Sequence, residues 1–158
     1  MEPVCGDRSS IREILLSSNI FYPCEIDVAV ELFDDYLESG ADESWYSFIF
    51  LDVEDRTVGY LCYGPIAMTD KRYDLYWIAV RKDLCGKGLG GFLLSEAEKE
   101  IRKSGGRFLY VDTSGREAYK NTRAFYRKHG YRQVACIPHF YNDNDHKIVF
   151  MKDLFQLR

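Results

Sequence analysis

Apolar residues recur along this chain first at helical spacing, then in short dense runs, then at helical spacing again. Residues 1–8 read as short and irregular. Ser10-Ile11-Arg12-Glu13 reads as a capping box that opens a helix through about Ser18. A second helix begins near Pro23, a residue suited to a first helical turn, and carries Ile26, Ala29, Val30, Phe33 and Leu37 along one side before Gly40 stops it. That stripe is expected to lie on a sheet. The runs 45–51 and 57–63 are rich in strand formers and flank the polar segment 52–56, which predicts an antiparallel hairpin closed by Gly64-Pro65. Residues 73–80 predict a central strand, apolar on both faces from 75 to 80, as expected where both sides are covered. Leu89, Phe92, Leu93, Ala97 and Ile101 restore the helical period to about Lys103, with Gly105-Gly106 as the stop. A strand over 107–111, a helix from about Tyr119 to His129 ending at Gly130, and two strands at 131–137 and 147–151 around a loop at 138–146 complete the order.

Between the central strand and its helix lies Cys85-Gly86-Lys87-Gly88-Leu89-Gly90-Gly91. Glycine lets backbone amides approach a ligand with no Cβ in the way, and a helix starting at the same place aims its unpaired N–H groups outward. Such a turn suits phosphates. Gly86, Gly88 and Gly91 also satisfy G-x-G-x-x-G, and Asp112 stands about where a dinucleotide fold puts its ribose-binding acid. Two features oppose that reading. Arg81 to Cys85 separate the strand from the glycines, and too little chain follows Asp112 to complete a doubly wound sheet.

Composition narrows the class further. A chain of 158 residues with 46% hydrophobic and 15% aromatic content forms a core, and its length suits a single domain over 1–158. The net charge of −4 leaves no basic surplus for nucleic acid and suits a cationic substrate. Five cysteines (Cys5, Cys24, Cys62, Cys85, Cys136) with no C-x-x-C pair point to reduced thiols and to neither a disulfide framework nor a metal site. With no apolar run long enough to span a bilayer and no signal-peptide core, a cytoplasmic protein without membrane contact is expected.

The string 85–90, preceded by Ile78-Ala79-Val80, resembles the acyl-CoA pyrophosphate loop of the GNAT superfamily of N-acetyltransferases, usually Gln/Arg-x-x-Gly-x-Gly/Ala. Residues 121–131, Asn-Thr-Arg-Ala-Phe-Tyr-Arg-Lys-His-Gly-Tyr, resemble the later GNAT segment with its Phe-Tyr-x-Lys-x-Gly-Phe/Tyr core. The resemblance implies a mixed α/β fold, a mostly antiparallel sheet flanked by helices, and acetyl-CoA as cosubstrate with no metal. It implies transfer of an acetyl group to a primary amine of a small molecule or peptide in a ternary complex, by a monomer or homodimer. A non-catalytic acyl-CoA-binding module is the alternative. Gly86, Gly88, Gly90 and Gly91, with Leu89 at the helix start, would hold the pyrophosphate. Lys87, Arg123 and Lys128 are candidates for the 3′-phosphate, and Asn121 and Phe125 belong to the same matching segment. The pantetheine arm would add along Ile78, Ala79 and Val80 as an extra strand does. Cys85 departs from the usual Gln or Arg. A thiol supplies no charge and only a weak hydrogen bond, which leaves phosphate binding there to the glycine amides.

Acetyl transfer from a thioester needs a deprotonated amine, a polarised carbonyl and a protonated leaving thiolate. Tyr126 matches the GNAT tyrosine near the thioester sulfur, a general acid, and the oxyanion would take a backbone N–H near Ile78 or Ala79. For the base the candidates are Asp74, Asp112 and ordered water. Strand alternation puts Asp74 on one face with Tyr76, Ile78 and Val80. The loop carrying His139, Phe140, Tyr141, Asp143, Asp145 and His146 is read as an exposed hairpin loop, with contact to substrate as the alternative.

Overall fold

The computed structural model describes residues 7–40 and 43–155; Cys5 and the start of the irregular N-terminal segment lie outside them. Helices α1 (Asp7–Ser18) and α2 (Pro23–Ser39) come first, followed by β1 (Ser47–Val53), β2 (Arg56–Pro65) and β3 (Arg72–Val80). Then come α3 (Leu89–Lys103), β4 (Phe108–Ser114), α4 (Lys120–Lys128), β5 (Arg132–Asn142) and β6 (Asp145–Asp153). The strands form one six-stranded sheet in the order β1-β2-β3-β4-β6-β5. All neighbours run antiparallel except β3 and β4. This is the mixed, mostly antiparallel sheet that the family resemblance implies.

Each face of the sheet has its own core. On the front, Ile11, Ile14 and Leu15 of α1 and Ile26, Ala29, Val30 and Phe33 of α2 pack on Tyr60 and Ala79, with Phe48, Phe50 and Trp77 beside them. On the back, Leu93, Leu94, Ala97 and Ile101 of α3 and Tyr126 of α4 cover Leu61, Leu75, Leu109, Val111 and Phe150. The front cluster reaches no further than β3, so the front of β4 and β6 presents Tyr110, Asp112, Lys147 and Val149 to a cleft. Behind the sheet, buried Glu98 on α3 accepts both oxygens' worth of bonding from Lys152 Nζ, at 2.7 and 2.8 Å, and a third bond from the Tyr131 hydroxyl at 3.0 Å. This anchors α3 to β6.

Three expectations change. Helix α1 begins at Asp7, so Ser10 lies inside it and does not cap it; the reciprocal bond of a capping box appears instead at α2, where the Tyr22 N–H donates to the Glu25 carboxylate at 2.6 Å. The segment 138–146 is strand for most of its length, because β5 and β6 continue to a turn at Asp143-Asn144. Side chains replace part of that ladder: His146 Nδ1 accepts the His139 N–H and His139 Nδ1 accepts the Asn144 N–H, each at 3.0 Å. Such ties leave no periodic signal. Finally, β3 carries a β-bulge at Tyr76, since Cys62 pairs with Trp77 while Tyr63 pairs with Leu75. One extra residue inverts the alternation beyond it. Asp74 therefore shares the front with Trp77 and Ala79, whereas Ile78 and Val80 join the back-face core.

Candidate active site

The parallel pairing of β3 with β4 runs only from Arg72/Phe108 to Leu75/Val111. Past that point the two strands part, and a cleft of about 1010 Å³ occupies the fork, lined by Asp74 to Val80 on one side and Val111 to Ser114 on the other. The bulge falls at the fork itself. The Arg81 N–H donates to the Val58 carbonyl at 2.8 Å, and antiparallel alternation then turns the main chain of Ala79 toward β2 and that of Ile78 and Val80 toward the cleft. Of the two expected oxyanion donors, Ile78 is the one whose amide faces the opening; Ala79 is engaged in the ladder.

At the cleft's end the chain makes a 3-10 turn at Lys82–Leu84, tied to α1 where Ser17 Oγ accepts the Lys82 N–H at 3.2 Å, and enters the glycine segment. Gly86 and Gly88 have φ of +83° and +85°, and a Cβ at either would meet nothing within 4 Å. Their glycines serve backbone conformation and close approach of a ligand. Gly88 caps α3, and the first bond of the helix runs from the Phe92 N–H to the Gly88 carbonyl at 3.0 Å. Earlier N–H groups in that turn have no partner within the helix. Gly90 and Gly91 have a second task, seating α4. A Cβ at Gly90 would stand 3.4 Å from the Phe125 ring, and one at Gly91 would stand 2.6 Å from the His129 ring. Phe125 is thus placed between the helices. Cys85 is exposed at the cleft, its thiol directed at the Val80 and Arg81 carbonyls at 3.7 and 3.5 Å.

The expected cations divide. Lys87 and Lys128 are exposed, as is Asn121. Arg123 turns inward, where Nη1 donates to the Ser114 and Arg116 carbonyls at 2.7 and 2.8 Å and clamps the turn after β4. Of the three cations, the two lysines are the ones on the surface.

Asp74 and Asp112, both on the front face, come together at the fork, since Asp74 is paired with Tyr110 two residues before Asp112. Asp112 is bound by Lys147 Nζ at 2.5 Å. Burial, first, and the neighbouring Asp112 carboxylate, second, push the Asp74 carboxyl from its ordinary 3.8 up to about 6, against the opposing pull of Lys147. Tyr126 approaches from the back, borders the cleft, and packs against Tyr131 and Phe150 with ring centroids 5.7 and 5.8 Å away. Its burial raises the phenol far above the ordinary range, so it holds its proton at any working pH.

The other end of the cleft is walled by residues that the sequence reading left unassigned: Phe21 and Tyr22 just before α2, Glu25 in its first turn, Arg116 and Tyr119 from the turn after β4. Arg116 ties this wall together. Its guanidinium lies over the Tyr22 and Tyr119 rings at 4.8 and 5.2 Å, Nη1 donates to the Tyr22 hydroxyl at 2.7 Å, and Nε lies 3.3 Å from the Asp145 carboxylate. Tyr141 to Asp145 of the β5–β6 hairpin close the opposite side. The aromatic pair just before Pro23 is the one local signal for this wall.

No curated protein sequence matches the chain. Residues 44–133 match the model of the acetyltransferase (GNAT) domain family. Among solved structures, a GNAT-family protein from Desulfovibrio desulfuricans is 39% identical, with a TM-score of 0.93 over 97% of this chain and 96% of its own. An aminoglycoside 6'-N-acetyltransferase in complex with coenzyme A (18% identity, TM-score 0.73, 99% and 94% covered) has the same fold. So does the ribosomal-protein-S18-alanine N-acetyltransferase of Escherichia coli (15% identity, TM-score 0.76, 100% and 94% covered). A family match across more than half of the residues and a close relative over nearly all of them agree with the fork and the glycine turn, and the chain belongs to the GNAT family of acetyltransferases.

Proposed function

We propose that this protein is an acetyl-CoA-dependent N-acetyltransferase that acetylates a primary amine by direct transfer, with donor and acceptor bound together. The observation that carries this reading is the fork between β3 and β4, with Asp74 on its front side and Tyr126 on its back. An acyl-CoA matches the residues present. Its peptide-like arm suits the main-chain groups of Ile78 and Val80, its pyrophosphate suits the glycine amides and the N-terminus of α3, and its 3′-phosphate suits Lys87 and Lys128.

Bound acetyl-CoA supplies a thioester carbonyl open to attack by an amine. Asp74 receives the proton that the amine gives up as its bond to the acetyl carbon forms. A carboxyl raised to about 6 is ionised near neutral pH yet basic enough to serve. The Ile78 N–H faces the oxygen on which charge develops. Tyr126 donates its proton to the sulfur as the carbon–sulfur bond breaks. Base and acid stand on opposite sides of the slot, as a direct transfer requires, with the amine arriving on one side and the thiolate leaving on the other.

Thermal unfolding with and without acetyl-CoA tests the donor, and free-thiol release across a panel of primary amines tests the transfer. Stabilisation together with amine-dependent thiol release is expected. Stabilisation without thiol release from any amine would favour the non-catalytic binding module, and absence of stabilisation would sink both.

A further inference from the structure

A second cleft, of about 470 Å³, opens on the uncovered front face of β3, β4, β6 and β5. It meets the main cleft at Asp74 and Asp112, which line both. From that shared wall it runs toward the start of β3, over Tyr110, Val149 and Ile137, and ends near Arg72 and Thr69. We infer that this second cleft is a subsite for the tail of the acceptor, shaped for an amine whose apolar body ends in a carboxylate. The inference rests on the acetyltransferase reading and specifies its acceptor.

The charges fix the order of groups. Lys147 is committed to Asp112 at 2.5 Å, so that pair is internally neutral. Asp74 remains as the acid at the junction, where the amine must sit to be deprotonated. The floor beyond it is formed by Tyr110, Val149 and Ile137. Arg72 remains as the cation at the far end, its guanidinium over the Phe108 ring at 5.0 Å. It donates from Nη1 to the Asp70 carbonyl, and the Asp70 carboxylate stands off at 3.8 Å with 94% of its side chain in solvent. A pair so loose and exposed contributes little and exchanges readily, and a guanidinium has five N–H donors to offer a carboxylate. Arg72 and Asp74 lie on one face of β3, two residues apart and thus about 6.6 Å along the strand. With the Arg72 guanidinium turned back to the Asp70 carbonyl, an amine and a carboxylate separated by several carbons match this spacing better than an α-amino acid, which carries both on one carbon.

Calorimetric titration of amines into the enzyme saturated with CoA tests this, using 5-aminovalerate, pentylamine, cadaverine and alanine at a pH where Asp74 is ionised. 5-Aminovalerate is expected to bind at least about tenfold more tightly than pentylamine, the gain of one hydrogen bond to a charged group, with cadaverine and alanine sharing none of it. Arg72→Gln should abolish the difference. Thr69→Glu, at the exposed rim of the same cleft, should reverse it in favour of cadaverine, and CoA binding by both variants certifies that they fold. Equal affinities, a preference for the diamine or for alanine, no amine binding at all, or a preference that survives both substitutions would overturn the subsite. Failure of CoA itself to bind would instead overturn the acetyltransferase reading.

Discussion

The junction of Asp74, Asp112 and Lys147 makes a prediction whose sign is as informative as its size. Activity by the route above needs Asp74 ionised, so the plot of kcat against pH should rise through an inflection near 6. The acceptor amine titrates near pH ~10.4, well clear of it. In the sheet Asp112 is the diagonal neighbour of Asp74, a spacing of about 7–8 Å. Two like charges at that distance repel by roughly 0.5 to 2 kcal/mol for an effective dielectric between about 80 and 20, equivalent to about 0.4 to 1.5 pH units. Asp112→Asn removes the repulsion and should move the inflection down by that amount. Lys147→Met leaves the Asp112 charge unopposed and removes a cation that favours ionised Asp74, so it should move the inflection up. Thiol release measured from about pH 5 to 9 with saturating acetyl-CoA reads both shifts. Movement in the same direction, no movement in either variant, or an inflection that persists in Asp74→Asn would refute the assignment of Asp74 as the base.

Four other perturbations follow from the site and the fold. Tyr126→Phe keeps the ring that packs on Tyr131 and Phe150 and deletes only the proton donor; kcat should fall by about 10² or more while acetyl-CoA affinity holds, and unchanged turnover would eliminate Tyr126 as the acid. Gly88→Ala meets no neighbour but sits at φ +85°, so it should cost about 1–2 kcal/mol of backbone strain and weaken CoA binding in a direct titration. Gly91→Ala drives a methyl onto the His129 ring and should cost about 1–3 kcal/mol in urea unfolding. Lys152→Met removes the nearer of the two cations beside buried Glu98 and leaves only Arg102, 3.8 Å away; it should destabilise by about 3 kcal/mol, a loss that a second change of Glu98 to Leu largely restores.

Legibility followed the range of the interactions involved. The stripe of α2, the strand–glycine–helix passage and the chain order of strands are written in local periodicity, because burying one face forces apolar residues to recur at the period of the element. The face of Asp74 was misread because alternation assumes an unbroken strand. The bulge at Tyr76 is defined by the register with β2, a partner that alternation along β3 does not see. Arg123 looked like a phosphate ligand by position in a motif, yet carbonyls seven and nine residues upstream take its guanidinium. The wall at the far end of the main cleft was illegible for a similar reason: Tyr22 and Arg116 meet across 94 positions.

By itself the sequence determined the fold class and the family, and it singled out a glycine turn between a strand and a helix, since such a turn presents its amides through its own backbone and needs no distant partner. Tertiary structure alone decided what surrounds that turn. The parting of β3 from β4 after Leu75 and Val111, the meeting of Asp74 with Asp112 and Lys147, and the second cleft toward Arg72 all depend on which strands lie side by side and where their pairing stops. Those are contacts between segments far apart in the chain, and local pattern carries no record of them.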